Sequence, residues 1–285
     1  MSLDLLTTIE QLRARVAEAR AVGRTIGLVP TMGALHAGHA SLVEAAKREC
    51  GLRVATIFVN PTQFGPGEDF SRYPRTLEKD LELLARHGAD CVFVPAAEQI
   101  YPPGDESLVD VGSVARPLEG THRPRHFQGV ATVVLKLFLL AQPDVAFFGR
   151  KDYQQTLVVR HLIRDFRLPI ELRVCPTIRE PDGLALSSRN RYLSTDERQR
   201  AVAVSRSLGL ATRLVREGAT DSATIEQAMR DELSAAELAI EYVALADPET
   251  LAPVPRVDRP IVALVAVRLG RTRLIDNEPI APPAG

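Results

Sequence analysis

Tryptophan is absent from the 285 residues, and tyrosine, cysteine and methionine are scarce, with 5, 3 and 3 copies. Cys50, Cys91 and Cys175 are odd in number and far apart. That argues against a disulfide framework and a clustered zinc site, and fits a reducing, cytoplasmic compartment. All three are expected to be small buried apolar residues. An excess of charge is missing too: 35 Lys and Arg stand against 36 Asp and Glu. Nothing marks a nucleic-acid partner, which would need a basic face. No apolar run reaches the roughly 18 residues of a membrane span, so no membrane partner is expected. The longest run, 130–141, is interrupted by Lys136 and reads as a buried helix. The first ten residues carry acids and no basic-then-apolar leader, so no export is expected.

What is present is an ordinary globular balance, 45% hydrophobic and 25% charged, in a length that suits one or two domains. Short apolar runs at 25–29, 53–59, 91–94, 145–148 and 170–175 alternate with helical spacings. One of these puts Leu42, Val43 and Ala46 on one side and Glu44, Lys47 and Arg48 on the other. Further helices are expected at 76–87, with Gly88 as its C-cap, and at 129–141 and 154–165. Strands separated by helices imply crossover units and a parallel sheet, whose ligands bind beyond the carboxyl ends of the strands. Beyond about Ser194 the texture changes. Two amphipathic helices are expected at 195–217 and 222–237, N-capped by Thr195 and Ser222, followed by strands at 240–246 and 261–269. The fold class is therefore α/β, a Rossmann-like parallel sheet with flanking helices over 1–178. A smaller C-terminal α+β domain, a candidate lid, covers 179–285 and ends in a frayed tail at 281–285.

Four loops follow the strands and carry polar chemistry. Pro30-Thr31-Met32-Gly33-Ala34-Leu35-His36-Ala37-Gly38-His39 joins the first strand to its helix. Its glycines allow close backbone approach, and the helix start aims N–H groups and a positive dipole end at an anion. His36 and His39, three apart, share a face and could donate to phosphate; equally, they could be surface or capping residues. A metal would need third and fourth ligands that the neighbourhood lacks. In Asn60-Pro61-Thr62-Gln63, Asn60 alone reads as a turn signal, whereas Gln63 suits a small hydroxylated carboxylate. In Gly149-Arg150-Lys151-Asp152-Tyr153-Gln154-Gln155, Lys151 offers a point charge for phosphate and Asp152 could hold ribose or magnesium, or simply cap a helix. Leu186-Ser187-Ser188-Arg189-Asn190 offers hydroxyls beside a guanidinium, an anion clamp or else a basic linker. There is no P-loop, dinucleotide fingerprint or Gly-x-Ser-x-Gly elbow, and no cysteine adjoins a base.

The His-x-Gly-His element resembles that of the nucleotidylyltransferase superfamily, shared with class I aminoacyl-tRNA synthetases. The four loops in order, with Tyr73-Pro74-Arg75-Thr76 and His126-Phe127-x-Gly129-Val130 between them, are similar to the pantothenate synthetase (pantoate–β-alanine ligase) family. The resemblance runs from about Thr25 to Ser194. It implies a nucleotidylyltransferase-type sheet and an AMP-forming ligase of (R)-pantoate and β-alanine, working through a pantoyl-adenylate and releasing pyrophosphate. ATP, Mg2+ and a homodimer are implied with it. The implied catalytic groups are His36, His39, Lys151, Ser187, Ser188 and Arg189. ATP would lie against Met32, Gly33, Ala34, Leu35, His36, Ala37, Gly38 and His39, against Gly149, Arg150, Lys151 and Asp152, and against Ile178, Leu186, Ser187, Ser188 and Arg189. Gln63, Gln155, Asn60 and His126 would face pantoate or β-alanine, and Asp80 or Asp152 would meet the magnesium. Two departures stand out. Leu186 replaces the family's usual Met, a swap that conserves volume, and Arg150 replaces a common Glu, which reverses a charge. A nucleotidyltransferase that keeps AMP on its product, or a nucleotide sensor without turnover, would share most of these loops. A tRNA-charging enzyme is disfavoured by the neutral charge.

Overall fold

Ile26, Leu28 and Val29 lie within 1% of complete burial, the pattern of a strand covered on both faces. They belong to β2, the second strand of a computed structural model that describes residues 3–282. The chain divides into two compact units, residues 1–150 with 154–176, and residues 151–153 with 177–285.

In the first unit the order is β1 (Asp4–Leu6), α1 (Ile9–Ala21), β2 (Ile26–Thr31), α2 (Ala37–Glu49), β3 (Leu52–Ile57), α3 (Leu77–His87) and β4 (Cys91–Phe93). The short helices α4 (Ala97–Ile100) and α5 (Glu119–His122) precede α6 (His126–Ala141), β5 (Val145–Gly149), α7 (Tyr153–Asp165) and β6 (Glu171–Cys175). All six strands are parallel, in the order β1-β4-β3-β2-β5-β6. From β2 the chain steps outward through β3 and β4, then returns to place β5 on the other side of β2. The strand order thus reverses at β2, the place beyond whose carboxyl end open parallel sheets bind their ligands.

Each crossover follows from local signals. α2 buries Leu42, Val43, Ala45 and Ala46 and exposes Glu44, Lys47 and Arg48. Burial of Leu42 and Val43 contributes about 1.5–3 kcal/mol each. α3 ends at Gly88, whose φ of 96° only glycine adopts cheaply. α6 is apolar nearly all round and correspondingly buried. It starts three residues before the expected 129, at His126. β2 continues through Pro30 to Thr31, so the proline does not end it. Cys50 and Cys91 are buried, but Cys175 is only half-buried. Burial pushes the Cys50 thiol up to about 11 and the Cys91 thiol up to about 12, so both are inert near neutrality.

In the second unit α8 (Thr195–Ala201), α9 (Ala203–Arg216) and α10 (Ser222–Ala235) precede β7 (Ala239–Ala246), β8 (Ile261–Leu269) and β9 (Thr272–Ile280). The three strands form an antiparallel sheet with β8 in the centre. Its core joins Val204, Leu208 and Ala211 of α9 and Ile225 and Met229 of α10 to Val265 and Val267 of β8. The expected single helix over 195–217 is interrupted at Val202, whose N–H reaches back to Gln199 and Arg200 and tightens the turn. The caps also sit one residue earlier than expected. Ser194 makes a capping box with Glu197, which Thr195 could not do in that register. Asp221 accepts from the Thr224 N–H, and its carboxylate suits a helix N-terminus better than the Ser222 hydroxyl. β1, α1 and β9 were not among the expected elements. Of the proline-rich tail expected at 281–285, residues 283–285 lie outside the described residues.

Candidate active site

The loop between β2 and α2 is held by its own histidines. His36 is the N-cap of α2, and its Nδ1 accepts from the Gly38 N–H at 3.1 Å. His39 Nδ1 accepts from the His36 N–H at 3.3 Å, which completes a capping box. A ring nitrogen that accepts cannot carry the proton, so these bonds assign it to Nε2 in both rings. Both imidazoles are thus neutral in this arrangement and present Nε2–H donors. The rings stand 4.2 Å apart, close enough for two imidazolium charges to repel. Capping and phosphate recognition were alternatives in the sequence; here capping is what orients the donors.

Behind the histidines the loop takes two successive left-handed residues, Gly33 at φ 82° and Ala34 at φ 51°. Asp80 pins this turn. Its carboxylate, 2% exposed, accepts from the Ala34 N–H at 2.9 Å, the Leu35 N–H at 2.8 Å and the Thr76 hydroxyl at 3.1 Å. A side chain at Gly33 would press on Asp80 and Ile57, with Cβ 3.1 Å from each. Thr31 completes the anchorage, donating to the Thr56 carbonyl at 2.6 Å and accepting from the Gly33 N–H at 3.2 Å. With its oxygens bonded to backbone and Thr76, Asp80 is a loop clamp.

The loop after β3 is built around Asn60, 1% exposed. Asn60 caps the 3-10 turn Pro61–Gln63, as its Asn-Pro signal suggested. Its Nδ2 donates to Gln63 Oε1 at 3.0 Å and the Gly129 carbonyl at 3.2 Å, and its Oδ1 accepts from Thr62 and, at 2.8 Å, from the Tyr101 hydroxyl. Both amide atoms are bonded within the chain, and Asn60 orients Gln63. The Gln63 amide then reaches Met32 Sδ at 3.0 Å, which brings the second loop to the first. His126 is equally committed. Its Nδ1 bonds the Gln63 carbonyl at 2.8 Å, and Arg123 Nη1 lies 3.1 Å from its Nε2. Burial, aided by the Arg123 charge, lowers its pKa to about 4, so it is neutral with the proton on Nδ1. Arg123 in turn forms a bidentate pair with Glu68, 2.7 Å at both contacts. Burial alone would raise the Glu68 carboxyl; the Arg123 hydrogen bonds and charge outweigh it and hold that carboxyl below the usual range. His126 thus supports the Gln63 main chain.

Gly149 ends β5, and a Cβ there would meet nothing within 4 Å, so a ligand could approach its backbone. The Arg150 N–H continues the ladder to the Cys175 carbonyl at 2.8 Å. Gln155 is half-buried on the first turn of α7. Its neighbour Gln154 is 3% exposed and spans Val114, Pro117 and Glu119, a purely internal role.

In the second unit, Lys151 Nζ lies 3.5 Å from the half-exposed Asp152 carboxylate. Residues 178–186 double back, with the Leu186 N–H on the Ile178 carbonyl at 3.0 Å and Arg179 bridged to Ala185. That bond uses only the Leu186 backbone and does not depend on the side chain at this position. Ser187 caps a 3-10 turn over Ser188–Tyr192, its hydroxyl accepting from the Arg189 N–H at 3.3 Å. Asn190 Nδ2 ties the turn to the Ala185 carbonyl at 3.0 Å. The segment is a built turn, not a slack linker.

The family profile described as Pantoate-beta-alanine ligase matches residues 4–279. The chain belongs to the pantoate–beta-alanine ligase family. Its activity is the ligase reaction that forms pantothenate. It is 52% identical to the pantothenate synthetase of Rhodopirellula baltica, over 96% of this chain and 98% of that protein. The crystal structure of the Thermus thermophilus pantothenate synthetase superposes with a TM-score of 0.94 at 46% identity, covering 98% of this chain and all of that one. The Francisella tularensis pantoate–beta-alanine ligase, complexed with beta-gamma ATP and beta-alanine, superposes at 0.83 with 33% identity, covering 97% of each chain. Among the described residues, no helix is long and apolar enough to cross a membrane.

Sequence reasoning missed the supports of this ligase's loops: the Asp80 clamp, Tyr101 behind Asn60, and the Glu68–Arg123 pair behind His126. Tyr73-Pro74-Arg75-Thr76, noted only as a match, leads into the cap of α3 and so places Asp80 one turn later. A buried polar residue far along the chain from its partner leaves no periodic trace, so only the motif's presence hinted at it.

Proposed function

We propose that pantothenate forms in two steps on these loops. A pantoate carboxylate oxygen attacks the α-phosphorus of ATP, forming the pantoyl-adenylate as the bond to pyrophosphate breaks. The β-alanine amine then attacks the acyl carbon, forming the amide, losing a proton and expelling AMP. The observation that carries the first step is the pair of capped, neutral imidazoles, fixed as Nε2–H donors beside a helix N-terminus. Such preorganised donors stabilise charge that builds on phosphate oxygens without reorganisation during the reaction.

Lys151, Ser187, Ser188 and Arg189 grip the phosphates and the departing pyrophosphate. ATP also contacts the backbone from Met32 to Gly38, and Gly149, Asp152, Ile178 and Leu186 face the nucleotide. Gln63 and Gln155 hold pantoate. The Francisella complex with beta-gamma ATP and beta-alanine supports ATP and β-alanine as ligands here. Magnesium, when bound, offsets phosphate charge. Among the described residues no group of three or more His, Cys, Asp or Glu could hold a metal. With Asp80 bonded to the Ala34 and Leu35 N–H groups, Asp152 would be the carboxylate that meets the ion. The 179–285 region acts as a lid, and the enzyme is a cytoplasmic homodimer, readings that rest on family membership.

The test is to incubate the protein with ATP, Mg2+, pantoate and β-alanine, omit each in turn, and follow AMP and pyrophosphate. Pyrophosphate exchange that needs pantoate but not β-alanine is the expected result. Exchange that requires β-alanine would overturn the two-step order, and ATP binding without turnover would mark a sensor.

A further inference from the structure

Asp276 and Asn277 are adjacent in β9, and both are buried, at 3% and 2% exposure. Neighbouring residues of a strand point to opposite faces, so the strand is covered on both sides at this point. A scaffold with no other task would place aliphatic residues there, because a buried carboxylate or amide costs free energy unless fully bonded. Each bonds instead to a segment carrying a candidate phosphate group. Asn277 Nδ2 donates to the Lys151 carbonyl at 2.8 Å, across 126 positions of sequence. Asp276 pairs with Arg179, 2.5 Å and 3.1 Å at its two oxygens, and also accepts from the Asn277 N–H at 2.8 Å. Arg179 reaches on to the Gly183 carbonyl at 3.1 Å and so closes the 178–186 turn that leads into Ser187.

We infer that Asp276 and Asn277 are positioning residues for adenylation, a single bracket that fixes both the Lys151 backbone and the base of the Ser187–Arg189 turn. The inference rests on the proposed phosphate roles of Lys151 and Ser187–Arg189. One strand sets both groups, so their spacing is fixed by consecutive residues rather than by two independent loops. The Lys151 ammonium sits at the end of a flexible stem beside the Asp152 carboxylate, and the carbonyl held by Asn277 is the fixed point from which that stem starts. The competing account is an ion pair and amide that merely hold the fold. That account predicts losses that do not depend on whether Lys151 is present.

The test is a double-mutant cycle on the full-length enzyme, read by pantoate-dependent ATP–pyrophosphate exchange. Asn277→Asp keeps the shape but sets a carboxylate oxygen against the Lys151 carbonyl. It should lower the exchange kcat about tenfold, since misplacement well short of 1 Å is at stake. The KM for pantoate should stay within about twofold, and in a Lys151→Ala background the substitution should cost less than about twofold more. Asp276→Asn should raise the KM for ATP through the 178–189 segment. If Asn277→Asp does not fold by thermal melting, Asn277→Ala takes its place in the cycle. A full, additive loss in the Lys151→Ala background overturns the inference, as does wild-type exchange in both strand variants. Wild-type exchange in Lys151→Ala would instead overturn the phosphate reading itself, so the two failures are separable.

Discussion

Replacing Gly129 by alanine tests whether Gln63 is held by backbone packing. Gly129 lies in the first turn of α6, where the matched motif His126-Phe127-x-Gly129-Val130 begins the helix. A Cβ there would sit 2.4 Å from the Thr62 carbonyl oxygen, 2.6 Å from its carbon and 2.7 Å from the Gln63 nitrogen. Those atoms are backbone, so no side chain can swing aside. Ordinary contact begins at 3.4 Å, so the 3-10 turn must retreat by roughly 1 Å. Alanine would gain about 1 kcal/mol of helix propensity, against about 1–3 kcal/mol of overpacking, so net stability falls only modestly. Catalysis should suffer more, because displacement of a positioning group by ~1 Å costs on the order of 10²-fold. Pantoate-dependent pyrophosphate exchange should therefore drop by that order, with a raised KM for pantoate and an unchanged KM for ATP. Folded Gly129→Ala protein with wild-type pantoate kinetics would refute the reasoning.

Other outcomes follow from the same geometry. His39→Asn leaves an oxygen near the Nδ1 position to cap α2 but removes the Nε2–H. Exchange should fall roughly 10²–10³-fold with little change in Tm, whereas His39→Ala should lose Tm as well. Asp80→Ala strands two buried N–H groups and should cost about 1–3 kcal/mol for each by urea denaturation, together with at least tenfold of exchange activity (~1.4 kcal/mol); unchanged stability would contradict the clamp. The His126 pKa falls from 6.5 unfolded to about 4 folded, so the unfolded chain binds more protons between those values. Its contribution is complete above about pH 6.5 and is lost as pH falls toward 4. Between pH 7 and pH 5 the loss is on the order of 2 kcal/mol, and His126→Gln should remove this slope; an identical slope in the variant would count against it.

The sequence disclosed the sheet because β-branched and aliphatic runs such as 53–59 and 145–148 are buried on both faces and need no partner to be recognised. It disclosed the histidine loop because a glycine-rich turn before a helix has a definite electrostatic use. What stayed hidden depends on long-range bonding. Asn60 and His126 look like ligand groups in a polar loop, yet both are bonded inside the chain. Asp80 looks like a free acid in the first turn of α3, where an exposed carboxylate would be equally at home. β9 was missed because Asp276, Asn277, Glu278 and Pro279 break the apolar alternation by which strands are read. Ser194 and Thr195, or Asp221 and Ser222, are adjacent candidate caps that only the register of the following turn distinguishes.

Residues 151–153 are grouped with 177–285 although they follow β5 directly and the last of them, Tyr153, opens α7. The division therefore does not follow the order of the chain, which leaves the first unit at 151, re-enters it at 154 and leaves again at 177. A fragment beginning at 177 would lack the Lys151 carbonyl that Asn277 holds and the Tyr153 hydroxyl that donates to Pro248 at 2.8 Å. The C-terminal region thus cannot be dissected by a single cut. Transplanting it between relatives as a module requires carrying the tripeptide with it. On the ribosome, its last contacts wait for β9, although Lys151 emerges more than a hundred residues earlier.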